Sequence, residues 1–251
     1  MRISKQSRVI YRGPSLIDGA PIVAVAVVSD HNRKTGAMLQ TYIMHDGMHP
    51  FEANRTGADF AICGACPHRG KPTNDPARKL AEGRSCYVNL GQGVLITWKA
   101  LQRGYYPTAE GHAAIAAIGR GRMVRLGTYG DPAAVPFYVW ESLISEAQGH
   151  TAYSHQACQS GAAFVPSIMM QSADSLEEAQ AAWAQGRRTF RVVASVADIA
   201  KGDEILCPAS EEAGKRTTCA ACGLCGGASV KAKSIAIPAH GAGKVHFIAT
   251  Q

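Results

Sequence analysis

The sequence predicts an α/β fold on a (β/α) barrel-like plan, closed or incomplete, and three observations carry that prediction. From about residue 94 onward, short runs of β-forming residues alternate with helix-patterned runs. Strands met in that order are joined most simply by helical crossovers, which makes the sheet mainly parallel. A dinucleotide fold fits less well, because no GxGxxG follows an early strand and GRGRMV at 119–124 precedes one. The third observation is that cysteine-rich stretches interrupt the pattern, so metal-binding loops are expected on the fold. The chain reads as one α/β domain over residues 1–251, with a cysteine-bearing loop at 63–93 and a cysteine-rich insert at 207–227.

Taken in order, PIVAVAVV (21–28) and QTYIMH (40–45) predict two strands joined by a polar turn, DHNRKTG. Residues 63–93 are rich in Gly, Pro, Cys and charge without periodicity, which predicts an irregular loop. VLITW (94–98) predicts a short strand, AEGHAAIAAIG (109–119) a helix closed by Gly119, and MVRLG (123–127) a strand. AAVPFYVWESLISEAQG (133–149) predicts a helix ended by Gly149. HTAYSH (150–155) and PSIMMQ (166–171) follow as strands. A Ser175/Glu178 capping box then opens the helix SLEEAQAAWAQG, with Gly186 at its end. TFRVVAS, EILC and SIAIP are the remaining strands. Trp98, Trp140 and Trp183 read as packing residues, and AHGAGK (239–244), which lacks the spacing of a phosphate loop, as a turn.

Composition limits the function classes. The chain is 46% hydrophobic and 18% charged, the balance of a globular protein. Its longest apolar stretch, Ala20 to Val28, is less than half the length a membrane span needs, so no membrane partner is expected. The start, MRISKQSRVIYR, is basic with no apolar core directly behind it, which argues against secretion and for the cytoplasm. Eight cysteines in that reducing compartment favour metal binding or thiol chemistry over disulfides. A formal charge of +7 favours an anionic partner, a nucleic acid or nucleotide. The basic residues are scattered, as in Arg120, Arg122, Arg125 and Arg187, Arg188, Arg191, so an ordinary basic surface fits the same number. Oligomeric state is not legible.

Two sets of cysteines carry metal-ligand spacing. Cys207, Cys219, Cys222 and Cys225 supply four thiolates, enough for a complete shell, and three of them stand at consecutive x2 spacing. That spacing fits an iron–sulfur cluster of 4Fe–4S type better than the paired CxxC units of structural zinc, though zinc also suits the ligands. Cys63, Cys66 and Cys86 supply three thiolates and leave one position open, the arrangement in which a cluster iron can bind a small molecule. With zinc, His68 or Cys158 could close that shell; Cys158 reads equally as a plain loop thiol.

In parallel α/β folds, chemistry collects at the C-terminal ends of strands. Four positions qualify: Thr128–Asp131, Ser154–Cys158, Ser172–Asp174 and Cys207. Asp131 is the leading catalytic candidate outside the cysteines, as base, nucleophile or ligand contact; standing before Pro132, it is also a good helix N-cap. His155 is the second, as an acid–base group or substrate contact, and an ordinary loop histidine is the alternative. Asp174 and Ser175 read as capping residues.

ICGACPHRG, RSCYVNLGQG, VRLGTYGDPAAVP and CPASEEAGKRTTCAACGLCGG together resemble cysteine-rich phage proteins of the "gene product 88" type. That resemblance, over about residues 30–245, implies a phage setting and the host cytoplasm, and no particular activity. LGTYGDP, with Cys86-Tyr87, is similar to segments of radical S-adenosylmethionine enzymes, which implies a catalytic cluster at Cys63, Cys66 and Cys86 and S-adenosylmethionine as cofactor. In place of those enzymes' CxxxCxxC, the chain carries the wider three-cysteine set. Cys219, Cys222, Cys225 and His240 are similar to the late zinc site of tRNA-guanine-type transglycosylases, which implies base exchange with Asp131 as nucleophile. The leading expectation is an iron–sulfur enzyme of radical S-adenosylmethionine-like plan that modifies a nucleic acid or nucleotide. A zinc-dependent transglycosylase and a metal-stapled nucleic-acid-binding or host-interaction protein are the alternatives.

Overall fold

The structure, a computed structural model, describes residues 6–28, 34–214, 216–241 and 243–249. Most of the expected DHNRKTG turn, the first five residues of the basic start, Lys215 of the insert and Ala242 of AHGAGK lie outside the described residues.

Nine strands form one sheet: β1 (Arg8–Pro14), β2 (Pro21–Val28), β3 (Met38–His45), β4 (Met123–Tyr129), β5 (Gly149–Ser154), β6 (Met170–Ala173), β7 (Thr189–Val193), β8 (Glu204–Leu206) and β9 (Ser234–Pro238). Their order is β1-β2-β3-β4-β5-β6-β7-β9-β8. The β1/β2 and β2/β3 ladders are antiparallel, and every ladder from β3/β4 onward is parallel. The α/β class holds and the sheet is mostly parallel. Among the described residues no ladder joins the two ends of the order, β1 and β8.

Among the described residues eight helices accompany the sheet: α1 (Pro50–Thr56), α2 (Phe60–Cys63), α3 (Leu95–Gln102), α4 (Gly111–Gly119), α5 (Phe137–Ile144), α6 (Leu176–Ala184), α7 (Cys219–Cys222) and α8 (Lys244–Ala249). The first four fill the long crossover from β3 to β4, α5 the crossover from β4 to β5, and α6 that from β6 to β7. Among the described residues no helix is long and apolar enough to cross a membrane.

β2 shows why the continuous apolar run folds as it does. Ile22 to Val27 are fully buried, so this strand is covered on both faces and needs no polar alternation. Further along the sheet, Arg191 on β7 meets Glu204 on β8 across β9 through paired contacts, Nε to Oε1 at 2.9 Å and Nη2 to Oε2 at 2.6 Å. In the ladders between them, Ala236 of β9 pairs with Arg191 and Ser234 of β9 with Glu204, two small residues.

Three segments depart from the sequence reading. VLITW is helical and begins α3. Val94, Thr97, Ala100 and Leu101 are its buried positions, a spacing of three and four rather than two, and a π-turn at Leu90–Val94 leads into it. The helix expected over 133–149 is divided by Pro136, which has no N–H to continue it. A single 3₁₀ turn, Pro132–Ala134, precedes α5, and Gly149 begins β5 instead of closing a helix. The strand expected at 166–171 starts later, at Met170. Strand β1 and helices α1, α2, α7 and α8 have no counterpart in the sequence reading. Trp140 is fully buried, as expected of a packing residue, and donates its indole N–H to the Pro132 carbonyl at 2.8 Å.

Candidate functional site

Because β4, β5, β6, β7 and β9 run parallel, their C-terminal ends share one edge of the sheet. The segments after β4, β5, β6 and β9 wall a cleft of about 140 Å³ there. Cys63, Cys66, Cys86, Asp131, His155 and Asp174 all line it. The fold thus gathers the three-cysteine set and both leading catalytic candidates in one place.

The cysteine loop is pinned to the sheet by hydrogen bonds. Cys63 ends α2, and its carbonyl accepts the Gln156 amide at 2.9 Å. Gly64 has φ +53, and a Cβ there would lie 2.1 Å from Gln156 Oε1, so glycine is what lets the loop approach β5. Asp131 N–H donates to the Ile62 carbonyl at 2.5 Å. Within the loop, Arg69 binds Asp59 through Nε (3.0 Å) and Nη2 (2.5 Å) and also donates to the Gly57 and Gly64 carbonyls. Cys86 is returned to the first two cysteines by its N–H bond to the His68 carbonyl, 3.0 Å.

Burial pushes the Cys63 thiol well up, and Asp59 together with the neighbouring sulfurs adds to the shift. Cys86 is raised by burial too, against the pull of Arg84. Both thiols thus keep their protons more firmly than a free cysteine does.

Asp131 is buried, and both carboxylate oxygens accept protein N–H groups. Oδ1 takes Ala133 N–H at 2.9 Å as the cap of the 3₁₀ turn; Oδ2 takes His155 N–H at 2.8 Å and the Gln156 amide at 3.3 Å. The capping role is therefore present, and the same carboxylate positions the backbone of His155.

His155 and His68 both reach Asp174. His68 Nε2 lies 2.9 Å from Asp174 Oδ1, His155 Nε2 lies 3.3 Å from the same oxygen, and Cys66 Sγ is 4.0 Å from His155 Nε2. Burial alone would lower the His155 pKa, but the Cys66 sulfur and Asp174 outweigh it and hold the imidazole well above its usual value. For Asp174, burial is likewise outweighed, here by the two imidazoles, and its carboxyl is held below the usual range. Asp174 is thus not the helix cap it resembles in sequence. Ser175 Oγ caps α6 by accepting Glu178 N–H at 3.1 Å, while the Glu178 carboxylate accepts Asp174 N–H at 2.8 Å.

The second cysteine set lines a smaller cavity of about 20 Å³. Cys207 follows β8, and its N–H bonds to the Ala236 carbonyl at 2.9 Å. Cys219 and Cys222 are the ends of the single-turn α7, capped by Thr218 and closed by Gly223 at φ +64. Cys225 offers its carbonyl to Ala152 N–H of β5 at 2.9 Å. Burial pushes the Cys225 thiol up to about 12 and raises Cys207 as well.

Tyr153 of β5 lines both cavities, and in the smaller one it stands beside Cys225. Next to it is Arg125, 9% exposed, with its guanidinium carbon 5.7 Å from the Tyr153 ring centroid and Nη2 donating to Tyr87 Oη at 2.8 Å. Burial opposes the Arg125 charge, but Tyr87, Tyr153 and the sulfurs of Cys219 and Cys225 outweigh it, and the guanidinium is held cationic. A buried cation is thus set between the two cysteine sites.

Cys158 is exposed and lines neither cavity. His240 lines the three-cysteine cleft and lies 2.6 Å from Lys34 Nζ, so it does not join Cys219, Cys222 and Cys225 around the smaller cavity. The sequence reading missed the convergence of His68 and Asp174 and the place of Arg125. The only signal available for Asp174 was its position at a strand end.

In comparisons with known proteins, no family model matches the chain, and neither does any curated protein or solved structure.

Proposed function

We propose that the protein is a metal-dependent enzyme in which Cys63, Cys66 and Cys86 hold an iron–sulfur cluster facing the cleft, and that it acts on an anionic substrate, a nucleotide or nucleic acid. One observation carries this reading: three thiols line the open cleft at the strand ends, while a set of four lines the smaller cavity. What supports such a group here is the donor set itself, three half-buried thiols on one hydrogen-bonded loop that all line the same cleft. When bound, a three-thiolate cluster supplies one-electron chemistry and an iron position left open to a small molecule. S-adenosylmethionine is the molecule the sequence resemblance would place there, on a (β/α) plan akin to an incomplete barrel. Cys207, Cys219, Cys222 and Cys225 would hold a second, auxiliary group.

The chain's own residues supply the remaining functions. Asp131 fixes His155, and Gln156 fixes the Cys63 loop. Among the described residues, Arg84 and Lys244 are the cleft-lining cations not paired with a carboxylate, the groups to which a phosphate-bearing substrate would turn. Asp131 is less suited to the nucleophile of a transglycosylase, with both oxygens already accepting N–H groups, and His240 stands away from the late cysteines.

The test is iron and sulfide analysis of protein purified without oxygen, with and without S-adenosylmethionine. About four irons per cluster is expected, with iron content and visible charge-transfer absorption lowered in Cys63→Ser by the share of one cluster. Zinc alone, with no iron after reconstitution, overturns the reading. Loss of activity in a folded Cys63→Ser chain would eliminate a purely structural staple.

A further inference from the structure

His68, His155 and Asp174 form a second group in the cleft that the cluster does not explain. Among the described residues, the group of three His, Cys, Asp or Glu side chains whose ligand atoms all lie within 4.8 Å of one another is this one. We propose that these three residues bind a divalent first-row transition-metal ion, held by two imidazole nitrogens and one carboxylate oxygen and open to the cleft on its remaining positions.

The fold brings the three from distant points in the chain: the cysteine loop, the end of β5 and the end of β6. Each is braced from behind. His68 Nδ1 lies 2.8 Å from Ser85 Oγ, His155 N–H is held by Asp131 at 2.8 Å, and Asp174 N–H is held by Glu178 at 2.8 Å. The Ser85 contact on the second ring nitrogen of His68 is the kind that fixes ring orientation in metal-ligating histidines, while the other two hold the backbone from which His155 and Asp174 project. Both Nε2 atoms converge on the same Asp174 oxygen, so in the free state protons occupy the space a cation would take. Two imidazoles and one carboxylate are the donor set of open iron(II) and manganese(II) sites. The side chains are 16%, 21% and 26% exposed, enough to admit a ligand from the cleft.

The assignment does not rest on the iron–sulfur reading, because none of its ligands is a cysteine. Manganese(II) separates the two, since it favours imidazole and carboxylate over thiolate. Full-length protein stripped with chelator under reducing conditions is titrated with manganese(II), and the free ion is followed by its electron paramagnetic resonance signal. Saturation at one ion per chain is expected, together with a metal-dependent rise in Tm. Asp174→Asn and His155→Gln should lose both effects. Ser85→Ala, which keeps all three ligands, should weaken binding about 10-fold or more. Cys63→Ser and Cys86→Ser should bind as the parent does. His68→Gln gives a further ligand variant should Asp174→Asn melt early without metal. Absence of one-equivalent saturation in the parent, or saturation unchanged in folded Asp174→Asn or His68→Gln, overturns the proposal.

Discussion

Asp131, at the end of β4, accepts the backbone N–H of His155, at the end of β5, at a distance of 2.8 Å. One carboxylate thereby ties two neighbouring strand ends and sets the chain direction from which His155 enters the cleft. Asp131→Asn would place an amide donor where an acceptor is needed and leave a buried N–H unpaired. A loss of about 1–3 kcal/mol in urea unfolding is expected, with a larger fall in His155-dependent activity than the stability change explains.

Gly64 and Gly83 make a matched comparison. Both have positive φ, but a Cβ at Gly83 meets open space, whereas at Gly64 it strikes Gln156. Gly83→Ala should cost about 1–2 kcal/mol, the backbone strain alone. Gly64→Ala should cost more and also reduce metal retained at Cys63, read by elemental analysis of the purified variants.

Glu204 is almost completely buried against Arg191. Glu204→Gln leaves a buried guanidinium without its counter-charge, and about 3–5 kcal/mol of stability should be lost in urea unfolding. The double change Arg191→Met, Glu204→Leu should recover much of it, which would separate the cost of an unpaired charge from the worth of the pair.

His150 is held mostly in its neutral form, because burial lowers its pKa, against a hydrogen bond between Nε2 and the Ile168 carbonyl. The unfolded chain binds a proton more readily, from about pH 6.5 downward. The contribution of this residue is therefore fully present above about pH 6.5 and is lost as pH falls through that value toward the lower folded pKa. Between about pH 7.5 and pH 5 the difference in unfolding free energy between the parent and His150→Gln, whose amide can still donate to the same carbonyl, should shift against the parent as pH falls. That difference isolates His150 from His155, whose raised pKa acts in the opposite sense.

Arg125 supplies positive charge beside the Cys219 and Cys225 sulfurs. Should these hold a cluster, Arg125→Met removes a cation that favours the more negative, reduced state. Its reduction potential should then fall, as spectroelectrochemical titration would show, while Cys158→Ser at the exposed thiol should leave both potential and iron content unchanged.

Much of the architecture is legible from local pattern. PIVAVAVV, MVRLG and SIAIP carry enough β-branched and apolar density for their neighbours to matter little. VLITW misleads because five residues cannot separate a period of 2 from one of 3.6; Ala100 and Leu101, just beyond, decide the matter. β1 is obscured by Arg8 and Arg12, whose charge made the segment read as a basic start. At the site, strand-end reasoning locates Asp131, His155 and Asp174 on one edge, since parallel strands place their ends together. It cannot tell that the Asp174 side chain turns away from the helix it precedes, because that depends on His68 arriving from 106 residues earlier.

The partition formed by Tyr153 has a consequence for how the protein matures. Ala152 of β5 grips the late cysteine loop through its N–H, and Tyr153, beside Cys225, also faces the other cleft. Should both cysteine sets hold metal, as proposed, filling one site would stiffen a wall of the other, and thermodynamic reciprocity would make the benefit equal in both directions. Loading of the two sites should be cooperative, so that partial supply of metal yields a mixture of full and empty chains rather than a uniform population of half-filled ones.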